Sequence, residues 1–221
     1  MNILITGSRN GLGKDMALAL QQAGHTVYGY DIEDGNNVIK PKIVCGELDV
    51  LINNAGVNYI DWIENFTEQD WDDVMDTNAK GIFMMTKAYL PLLIESKGTV
   101  LNIVSNASHM PMTCSTAYNA SKGAAHIMTL QMARELTKKH GITVFGVSPN
   151  KLAGTMMSDS IDAQVVATRG WTKEYAHQYQ LNGLLTGEET DPKALAEFIA
   201  FLLQDKDHHK YLSGCVLPYG A

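Results

Sequence analysis

The sequence predicts an α/β protein in which helices cover both faces of a parallel β-sheet. Strand-like apolar runs alternate with helix-like segments along the whole chain, which is typical of a doubly wound, three-layer arrangement. The run at 2–6 is almost continuously apolar, as expected of a strand buried on both faces. The 221 residues show no repeat, low-complexity segment or linker, so we expect one domain over residues 1–221.

Composition and charge narrow the possible functions. Apolar residues make up 45% of the chain and charged residues 19%, as in globular proteins. A net charge of −7 and a pI near 5.4 argue against nucleic acid or an anionic membrane as a partner. The amino terminus has no signal-peptide pattern and no apolar run approaches the ~20 residues of a membrane span, so we expect a cytoplasmic protein. Cys45, Cys114 and Cys215 are scattered without a C-x-x-C spacing, which indicates neither a metal site nor a disulfide framework.

The amino-terminal segment has the pattern of a strand, a glycine turn and a helix. Asn2–Thr6 is the strand, the turn reads Gly7-Ser-Arg-Asn-Gly-Leu-Gly13, and the helix spans 14–23 before Gly24 ends it. This unit is the front of a dinucleotide-binding βαβ motif. Its glycines let the backbone approach a pyrophosphate at the helix N-terminus, where free N–H groups and the dipole favour anions.

Asp31 follows the second expected strand, Thr26–Tyr30. A carboxylate at this point can accept hydrogen bonds from both hydroxyls of an adenosine ribose and would repel a 2′-phosphate, which favours NAD over NADP. Two alternatives stay open. Asp31 also fits an ordinary turn residue before Gly35, and Arg9 in the glycine turn could bind a phosphate.

Residues 32–48 are irregular, and only Ile43–Cys45 could pair there as a strand. The next expected strand, 49–53, runs into Asn54-Ala55-Gly56. A parallel crossover needs about a dozen residues, usually with a helix. The interval between the second strand and this one is therefore too short for a helix, a strand and a second helix.

Thr67 opens the next helix as its N-cap, with Asp70 completing a capping box. We expect this helix to reach about Leu90, with Pro91 marking its end. Asn78 lies within it on the apolar side, where a buried amide needs partners. A water-satisfied core asparagine and a functional residue both fit that position.

Tyr118 and Lys122 lie four residues apart in the longest expected helix, 115–140, and so share one helix face. A neighbouring ammonium favours the phenolate and would lower the pKa of the tyrosine toward the range of a general acid/base. Ser105 follows the expected strand 99–104, upstream of Tyr118. The Y-x-x-x-K pattern is short and also fits an ordinary helix, so its meaning depends on these surrounding residues.

The last part of the chain continues the alternation. We expect a strand at 142–147, a turn-rich exit at 148–155, a helix at 192–203 and a last strand at 214–217. Between the exit and this helix, about 155–190, the chain is polar and aromatic. Trp171, Tyr175 and Tyr179 are spaced there by four, which fits either packing along one helix face or a mobile lid over a pocket.

Together these motifs resemble those of the short-chain dehydrogenase/reductase family over nearly the whole chain. In chain order they are Thr6-Gly7-x-x-x-Gly11-x-Gly13, Asp31, Asn53-Asn54-Ala55-Gly56, Asn78, Ser105, Tyr118-x-x-x-Lys122 and a Pro149…Thr155 loop. The resemblance implies a Rossmann-type fold and an NAD-dependent oxidoreductase that interconverts a small secondary alcohol and its ketone. It also implies a homodimer or homotetramer, assembled through the helices at 75–90 and 115–140 and the C-terminal segment.

The resemblance also implies residue roles. Tyr118 would exchange a proton with the substrate oxygen, and Ser105 would stabilise the charge on that oxygen. Lys122 would lower the pKa of Tyr118 and bind the nicotinamide ribose, while Asn78 would hold a water that links Lys122 to solvent. The implied cofactor contacts are Gly7, Arg9, Asn10 and Leu12 at the pyrophosphate, Asn54, Ala55 and Gly56 under the adenosine and inner ribose, and Pro149, Leu152 and Thr155 at the carboxamide.

Two departures from the family pattern have consequences. Pro149-Asn150 stands where members usually have Pro-Gly, and the segment before Asn53 is shortened. We therefore predict a six-stranded sheet that lacks the usual edge strand or keeps it only as Ile43–Cys45. The adenine end of the cofactor site would then be more exposed, and NAD would be bound more weakly.

Two other functions stay open. A trimmed member could bind a dinucleotide without turnover, as a sensor or interaction module. A dehydratase or epimerase could use His109 or Cys114 as an extra acid/base group, although His109 also fits a loop residue and Cys114 a small buried hydrophobe. The substrate cannot be identified from the stretches 106–114 and 156–190.

Overall fold

Six strands of the described chain pair side by side in one parallel sheet. The computed structural model describes residues 1–220 apart from the side chain of Lys206, and Ala221 of the expected domain lies outside them. The strands are β1 (Asn2–Thr6), β2 (Thr26–Tyr30), β3 (Val50–Asn53), β4 (Thr99–Ile103), β5 (Thr143–Pro149) and β6 (Val216–Tyr219). Their order is β2-β1-β3-β4-β5-β6, and every neighbouring pair is parallel. The predicted six-stranded, doubly wound sheet is confirmed.

Helices connect the strands on both faces of this sheet. They are α1 (Gly11–Gln22), α2 (Glu68–Met75), α3 (Gly81–Ser96), α4 (Thr116–His140), α5 (Met156–Arg169), α6 (Lys173–Leu181), α7 (Pro192–Leu203) and α8 (Lys206–His209). The predicted capping box is present, since Thr67 Oγ1 accepts the Asp70 N–H and the Asp70 carboxylate accepts the Thr67 N–H, each at 3.1 Å. Among the described residues, none of the helices combines the length and the apolar character that a membrane crossing requires.

Pro91 does not end its helix, and the prediction of an end there was wrong. It lies inside α3, which continues to Ser96. Pro91 is on the exposed side of the helix, whereas Tyr89 and Leu93 beside it are fully buried. Packing of the buried side outweighs the one backbone hydrogen bond that a proline cannot make.

Alternate residues of β1 face two separate cores, one on each side of the sheet. Ile3 and Ile5 join a cluster formed by α1 and α7, which includes Leu195. Leu4 points the other way and joins a cluster that includes Tyr89 of α3. Each apolar side chain of this size contributes about 1.5–3 kcal/mol when fully buried. This two-sided burial produces the three layers and leaves the carboxyl ends of the strands available for a site.

The segment between β2 and β3 differs from one part of the prediction. After a short 3₁₀ turn at Ile32–Asp34, the described residues 35–49 contain neither helix nor strand. Ile43–Cys45 is therefore not an edge strand, and β2 is the edge of the sheet. The interval between β2 and β3 is too short for two crossover connections. The chain therefore passes from β2 to β3 without an additional strand between them.

Two fully buried tyrosines hold this irregular segment against the core. The Tyr30 hydroxyl accepts the Lys42 N–H at 2.9 Å. The Tyr89 hydroxyl donates to the Lys42 carbonyl at 2.8 Å and accepts the Val44 N–H at 3.2 Å. Burial raises the pKa of Tyr89 to about 12, so its hydroxyl keeps the proton that it donates. The hydroxyls thus satisfy backbone groups that a helix or strand would otherwise pair.

The segment at 155–190 contains α5 and α6. The Trp171 ring packs against Tyr175 and Tyr179, with centroid distances of 4.9 and 5.0 Å. The three rings therefore pack together, but Trp171 lies in the turn before α6 rather than on its face, and the lid stays a prediction.

Candidate active site

The carboxyl edge of the sheet gathers the residues that the motifs singled out. Because the strands are parallel, their ends meet at one edge. Gly7 follows β1, Asp31 follows β2, Asn54 follows β3, and Ser105 lies two residues beyond β4. Tyr118, on the first turns of α4, is buried beside Ser105, with which it hydrogen-bonds. A ligand at this edge would meet all of these elements.

The glycine turn after β1 is locked to the end of β3. Gly7 has φ +66°, and a Cβ built on Gly13 would lie 1.9 Å from the Gly7 carbonyl oxygen. Asn54 Nδ2 donates to the carbonyls of Thr6 and Gly7 at 2.9 and 3.1 Å. Thr6 Oγ1 accepts the N–H groups of Asn54 and Ala55, each at 2.9 Å. The Asn54 side chain is thus engaged with the turn, which leaves the backbone of this run to face a cofactor.

The N-terminus of α1 has the properties of an anion site. Asn10 provides no side-chain cap and donates instead to Glu33 Oε1 at 2.9 Å, and the first turn contains no acidic residue. Leu12 is buried in the core, so it presents only its backbone. A Cβ on Gly11 would lie 3.6 Å from the Thr155 side chain, which places Thr155 across this helix end. First-turn N–H groups and the helix dipole together suit a pyrophosphate.

Asp31 is buried and joins the glycine turn to the chain after β2. Its Oδ2 accepts the Arg9 N–H at 2.9 Å, and its Oδ1 accepts the Glu33 N–H at 3.1 Å. The Arg9 guanidinium is paired with Asp34, through Nε to Oδ2 at 3.0 Å and through Nη2 to Oδ1. This hydrogen-bonded pair raises the pKa of Arg9 and lowers the pKa of Asp34. Arg9 is therefore neutralised by an acidic neighbour in this structure.

Tyr118 and Lys122 lie one turn apart on α4, and both are buried. Lys122 Nζ donates to the Ile103 carbonyl at 3.0 Å and lies 5.8 Å from the centroid of the Tyr118 ring. Burial lowers the pKa of Lys122 to about 8. Burial also raises the pKa of Tyr118, and a hydrogen bond with Ser105 offsets this only in part. The predicted lowering of the tyrosine pKa by Lys122 is wrong for this state, because desolvation dominates and the ammonium is bound to Ile103.

Ser105 begins the 3₁₀ turn Asn106–Ser108, in which its Oγ accepts the Ala107 N–H at 3.2 Å. Its hydroxyl also reaches the Tyr118 side chain. Asn106 Oδ1 accepts a hydrogen bond from Ser148 Oγ of β5 at 3.2 Å. The turn that carries Ser105 is thus fixed to the neighbouring strand.

Asn78 is fully buried in a π-helical turn, Asp76–Lys80, between α2 and α3. Its Oδ1 accepts the Val57 N–H at 2.8 Å, and its Nδ2 donates to the Val57 carbonyl at 2.9 Å and to Ser121 Oγ at 3.0 Å. A Cβ on Gly56 would lie 3.3 Å from the same Oδ1. Both amide donors are therefore used by the protein, and the predicted water between Asn78 and Lys122 stays a prediction. Turns of the π type are frequent at functional sites.

The exit from β5 is held to the chain before α7. Leu152 forms an isolated parallel bridge with Thr190, whose hydroxyl also donates to Asn150. Asn150 has no positive φ, so the turn does not need the glycine that is usual there. Thr155 caps α5 by accepting the Ser158 N–H at 3.1 Å. Pro149 is the last residue of β5, so Pro149, Leu152 and Thr155 lie along one continuous exit at the sheet edge.

The two extra acid/base candidates lie in different surroundings. His109 is exposed, with Nδ1 3.1 Å from Ser108 Oγ. Cys114 is buried in a small apolar cluster with Ile60 and Val165, as expected of a small hydrophobe. Cys114 also has φ +65°, a left-handed conformation at the start of α4.

Comparison with known proteins decides the family. The family model described as short chain dehydrogenase matches residues 37–165. The chain belongs to the short-chain dehydrogenase family. This family consists of oxidoreductases that bind a nicotinamide dinucleotide. A similar relative is the 3-oxoacyl-[acyl-carrier-protein] reductase of Staphylococcus aureus, 30% identical over 96% of this chain and 93% of the relative. The enzyme of the same name from Thermotoga maritima is 29% identical over 97% and 94%.

Solved structures of short-chain dehydrogenases share the fold. A protein from Agrobacterium tumefaciens, provisionally assigned as a 2-deoxy-d-gluconate 3-dehydrogenase and containing NADP, has a TM-score of 0.83 at 25% identity. The similarity covers 98% of this chain and 93% of that one. A variant of actinorhodin polyketide ketoreductase with NADPH has a TM-score of 0.86 at 24% identity, over 98% and 94%.

Some residues that shape this candidate site were missed from the sequence. Ser121 links the site internally, because its Oγ donates to the Tyr118 carbonyl at 2.8 Å and accepts from Asn78. Asn119 binds the chain after Ser105 through three hydrogen bonds. The only sequence signal for Ser121 and Asn119 was that each is a polar residue close to Tyr118.

Proposed function

We propose that the protein is an NAD(H)-dependent oxidoreductase that interconverts a small secondary alcohol and its ketone. The observation that carries the proposal is the grouping of Ser105, Tyr118 and Lys122 at the carboxyl edge of the sheet, where Tyr118 and Lys122 are buried and Tyr118 hydrogen-bonds with Ser105. A phenol that hydrogen-bonds with a hydroxyl, with a buried ammonium one helical turn away, matches the needs of proton transfer to a substrate oxygen.

The protein groups have separate roles in this proposal. Tyr118 donates its proton to the carbonyl oxygen during reduction and takes it back from the alcohol during oxidation. Ser105 hydrogen-bonds the same oxygen and stabilises its developing charge. Lys122 supplies a positive charge below about pH 8, which stabilises the phenolate that remains after proton transfer. The nicotinamide, when bound, supplies or accepts the hydride.

The residues at the sheet edge fit a dinucleotide. The close approach of Gly13 to Gly7 and the uncapped N-terminus of α1 leave room and N–H donors for a pyrophosphate. In the proposal Gly7, Arg9, Asn10 and Leu12 lie beside it through their backbone. The run Asn54-Ala55-Gly56 lies under the adenosine side. Lys122 binds the nicotinamide ribose, and the exit loop with Pro149, Leu152 and Thr155 holds the carboxamide.

The charges around Asp31 support NAD rather than NADP. Asp31, Glu33 and Asp34 form an acidic group after β2, and the guanidinium of Arg9 is already paired with Asp34. A 2′-phosphate at this point would face three carboxylates. The solved relatives named above contain NADP or NADPH, so the preference is a specific expectation for this chain.

Two further parts of the proposal concern assembly and access. The segment 155–190 acts as a lid over the substrate, since it joins the carboxamide loop at Thr155 to the chain before α7. The protein forms a homodimer or homotetramer through α3, α4 and the C-terminal segment. The exposed side chains of Phe83 on α3 and Ile127 on α4 support this arrangement.

The test is a hydride-transfer assay with NADH and NADPH against a panel of ketones, and with NAD and NADP against the corresponding alcohols. We expect turnover with NADH, and with Tyr118→Phe we expect a loss of about 10²–10⁴-fold in kcat. Absence of turnover with every substrate, in a protein shown to be folded, would contradict the proposal. A preference for NADPH would contradict the argument from Asp31.

One observation favours a second candidate, a dinucleotide-binding sensor. The described residues 35–49 lack the helix and strand that would flank an adenine site. Calorimetry separates the two functions. Equal NADH affinity in the wild type and in Tyr118→Phe, with no turnover in either, would favour the sensor.

A further inference from the structure

Asn119 binds the chain that follows Ser105. Its Nδ2 donates to the carbonyls of Ala107 and Met110, at 2.6 and 2.8 Å. Its Oδ1 accepts the Met112 N–H at 3.3 Å. An amide side chain has two N–H donors, and both are used here on the backbone of one short segment. A single side chain therefore fixes residues 107–112 at three points.

This segment is connected directly to the reacting groups. Ala107 is held on both sides, because its N–H binds Ser105 Oγ at 3.2 Å and its carbonyl binds Asn119. The Ser105 hydroxyl in turn hydrogen-bonds Tyr118. Asn119 follows Tyr118 on α4, so the contacts form a closed ring of four residues. Displacement of Ala107 would move the Ser105 hydroxyl relative to the Tyr118 hydroxyl.

The same segment carries side chains at the surface beside Ser105. Met110 and Met112 are about half exposed, and His109 is exposed between Ser108 and Met110. Flexible apolar methionines adapt to the shape of a bound molecule. The backbone atoms that Asn119 binds belong to these two methionines and to Ala107, so Asn119 determines where they are presented.

We propose that Asn119 is a positioning residue that fixes Ser105 and the 107–112 segment against Tyr118, and so governs the rate of the chemical step and the recognition of the substrate. This inference rests on the function proposed above, in which Ser105 and Tyr118 share the substrate oxygen. It assigns no role to Asn119 in binding of the dinucleotide.

Removal of the amide has two consequences. In Asn119→Ala the carbonyls of Ala107 and Met110 lose their donors, and the segment relaxes away from α4. A misplacement of about 1 Å can cost on the order of 10²-fold in rate. The Ser105 hydrogen bond lowers the pKa of Tyr118, so its weakening raises this pKa and moves the rise of alcohol oxidation with pH to higher pH.

The experiment compares Asn119→Ala, Asn119→Asp and Gln131→Ala with the wild type. The aspartate keeps the shape and one acceptor but loses both donors. Gln131 is the control, because its amide lies on the same helix and binds the exposed Glu135. We expect both Asn119 variants to lower kcat about 10–100-fold and to raise KM for the ketone. NADH affinity, measured by calorimetry, stays within about twofold, and Gln131→Ala behaves as the wild type.

Amide hydrogen exchange at 106–112 provides a readout that does not need turnover. We expect faster exchange there in both Asn119 variants and no change in Gln131→Ala. If the wild type is active and Asn119→Ala keeps its kcat and KM, the inference is overturned. A parallel loss of NADH binding also overturns it, because that indicates a general structural role. If the wild type is inactive, the proposed function fails, and unchanged exchange at 106–112 would then overturn the positioning itself.

Discussion

Among the single residues of the candidate site, Lys122 has an ionisation that the fold changes. Burial lowers its pKa to about 8 from the ordinary value of 10.5, and its Nζ donates to the Ile103 carbonyl. Below about pH 8 the lysine is charged in both the folded and unfolded states, so the cost of burying the charge is fully present. Between about pH 8 and 10.5 the folded state loses this proton first, and the cost falls as pH rises.

Lys122→Met tests this pH dependence. Relative to the variant, the wild type should gain stability with rising pH above about 8, by at most ~1.4 kcal/mol per pH unit. Urea unfolding at pH 7, 8, 9 and 10 measures the difference in free energy of unfolding. Parallel curves for the two proteins would show that Lys122 keeps an ordinary pKa. Lys138→Met, at the exposed end of α4, is the matched control and should show no such trend.

Asp34 offers a second prediction at this scale. Asp34→Asn removes the carboxylate that neutralises Arg9, which frees the guanidinium to meet a 2′-phosphate. We expect kcat/KM with NADPH to rise several-fold while the value with NADH changes little, because Asp31 is retained. Asp15→Asn on α1 is the control. An unchanged ratio of the two cofactors would show that Arg9 does not face the adenosine ribose.

The residues of the candidate site were singled out from the sequence, and the structure brings them to one edge of the sheet, whereas their ionisation was not predicted. The spacing of Tyr118 and Lys122 follows from helix periodicity, a local property that the sequence contains. The pKa of Tyr118 depends on desolvation by groups brought together from distant parts of the chain. The sequence therefore predicted the pairing of Tyr118 with Lys122, but it predicted the wrong direction for the shift in the pKa of Tyr118. Asn119 was missed for a related reason, since its partners lie in a loop whose path is set by tertiary contacts.

At the scale of elements, the glycine turn depends on one very close contact. A Cβ on Gly13 would lie 1.9 Å from the Gly7 carbonyl oxygen, so the backbone itself must move in Gly13→Ala. We expect a loss of about 1–3 kcal/mol in stability, as in other overpacked sites, and a clear loss of NADH affinity. Thermal unfolding and calorimetry measure the two effects. Gly46→Ala is the control, because a Cβ there would meet nothing within 4 Å.

Most elements could be predicted because their signals are local. Strand β1 and the cap at Thr67 are encoded by neighbouring residues, and the structure places both where the sequence indicates. The predicted helix end at Pro91 and the predicted edge strand at Ile43–Cys45 were wrong for opposite reasons. Tertiary packing carries α3 past its proline. The apolar run at 43–45 forms no strand among the described residues, because it is tied down by a tyrosine 45 residues away in sequence from Val44.

For the molecule as a whole, the short connection between β2 and β3 depends on tyrosine contacts, which hold residues 35–49 against the side of the sheet. Tyr89→Phe removes the hydroxyl that binds Lys42 and Val44 and leaves two backbone groups without their partner. We expect a loss of about 1–3 kcal/mol in the free energy of unfolding. Tyr28→Phe is the control, since the Tyr28 hydroxyl bonds no group in the described chain. Equal stability of the two variants would show that the segment is held by its apolar contacts.

The segment proposed as a lid is joined to the exit of β5 by a largely buried ionic cluster. Lys151 binds Glu189 at 3.1 Å and Gln180 Oε1 at 3.0 Å and pairs with Asp162 of α5. Burial works to raise the pKa of Asp162, but hydrogen bonds from Lys151 and Gln180 hold it below its usual range. This contribution to stability is present near neutral pH and is lost as pH falls through the lowered pKa. One ammonium therefore holds three separate parts of the chain around the exit of β5.

Lys151→Met should release the proposed lid, because it removes the ammonium that lies between two neighbouring carboxylates. We expect faster amide exchange across 156–189 and higher KM values for ketone and NADH, with a smaller effect on kcat. The double variant Lys151→Met/Asp162→Asn removes one of the opposed charges and should recover part of the loss. If the single variant keeps wild-type exchange and KM, the ionic cluster does not control access to the site. If the double variant recovers nothing, the effect of Lys151 arises from its packing rather than from its charge.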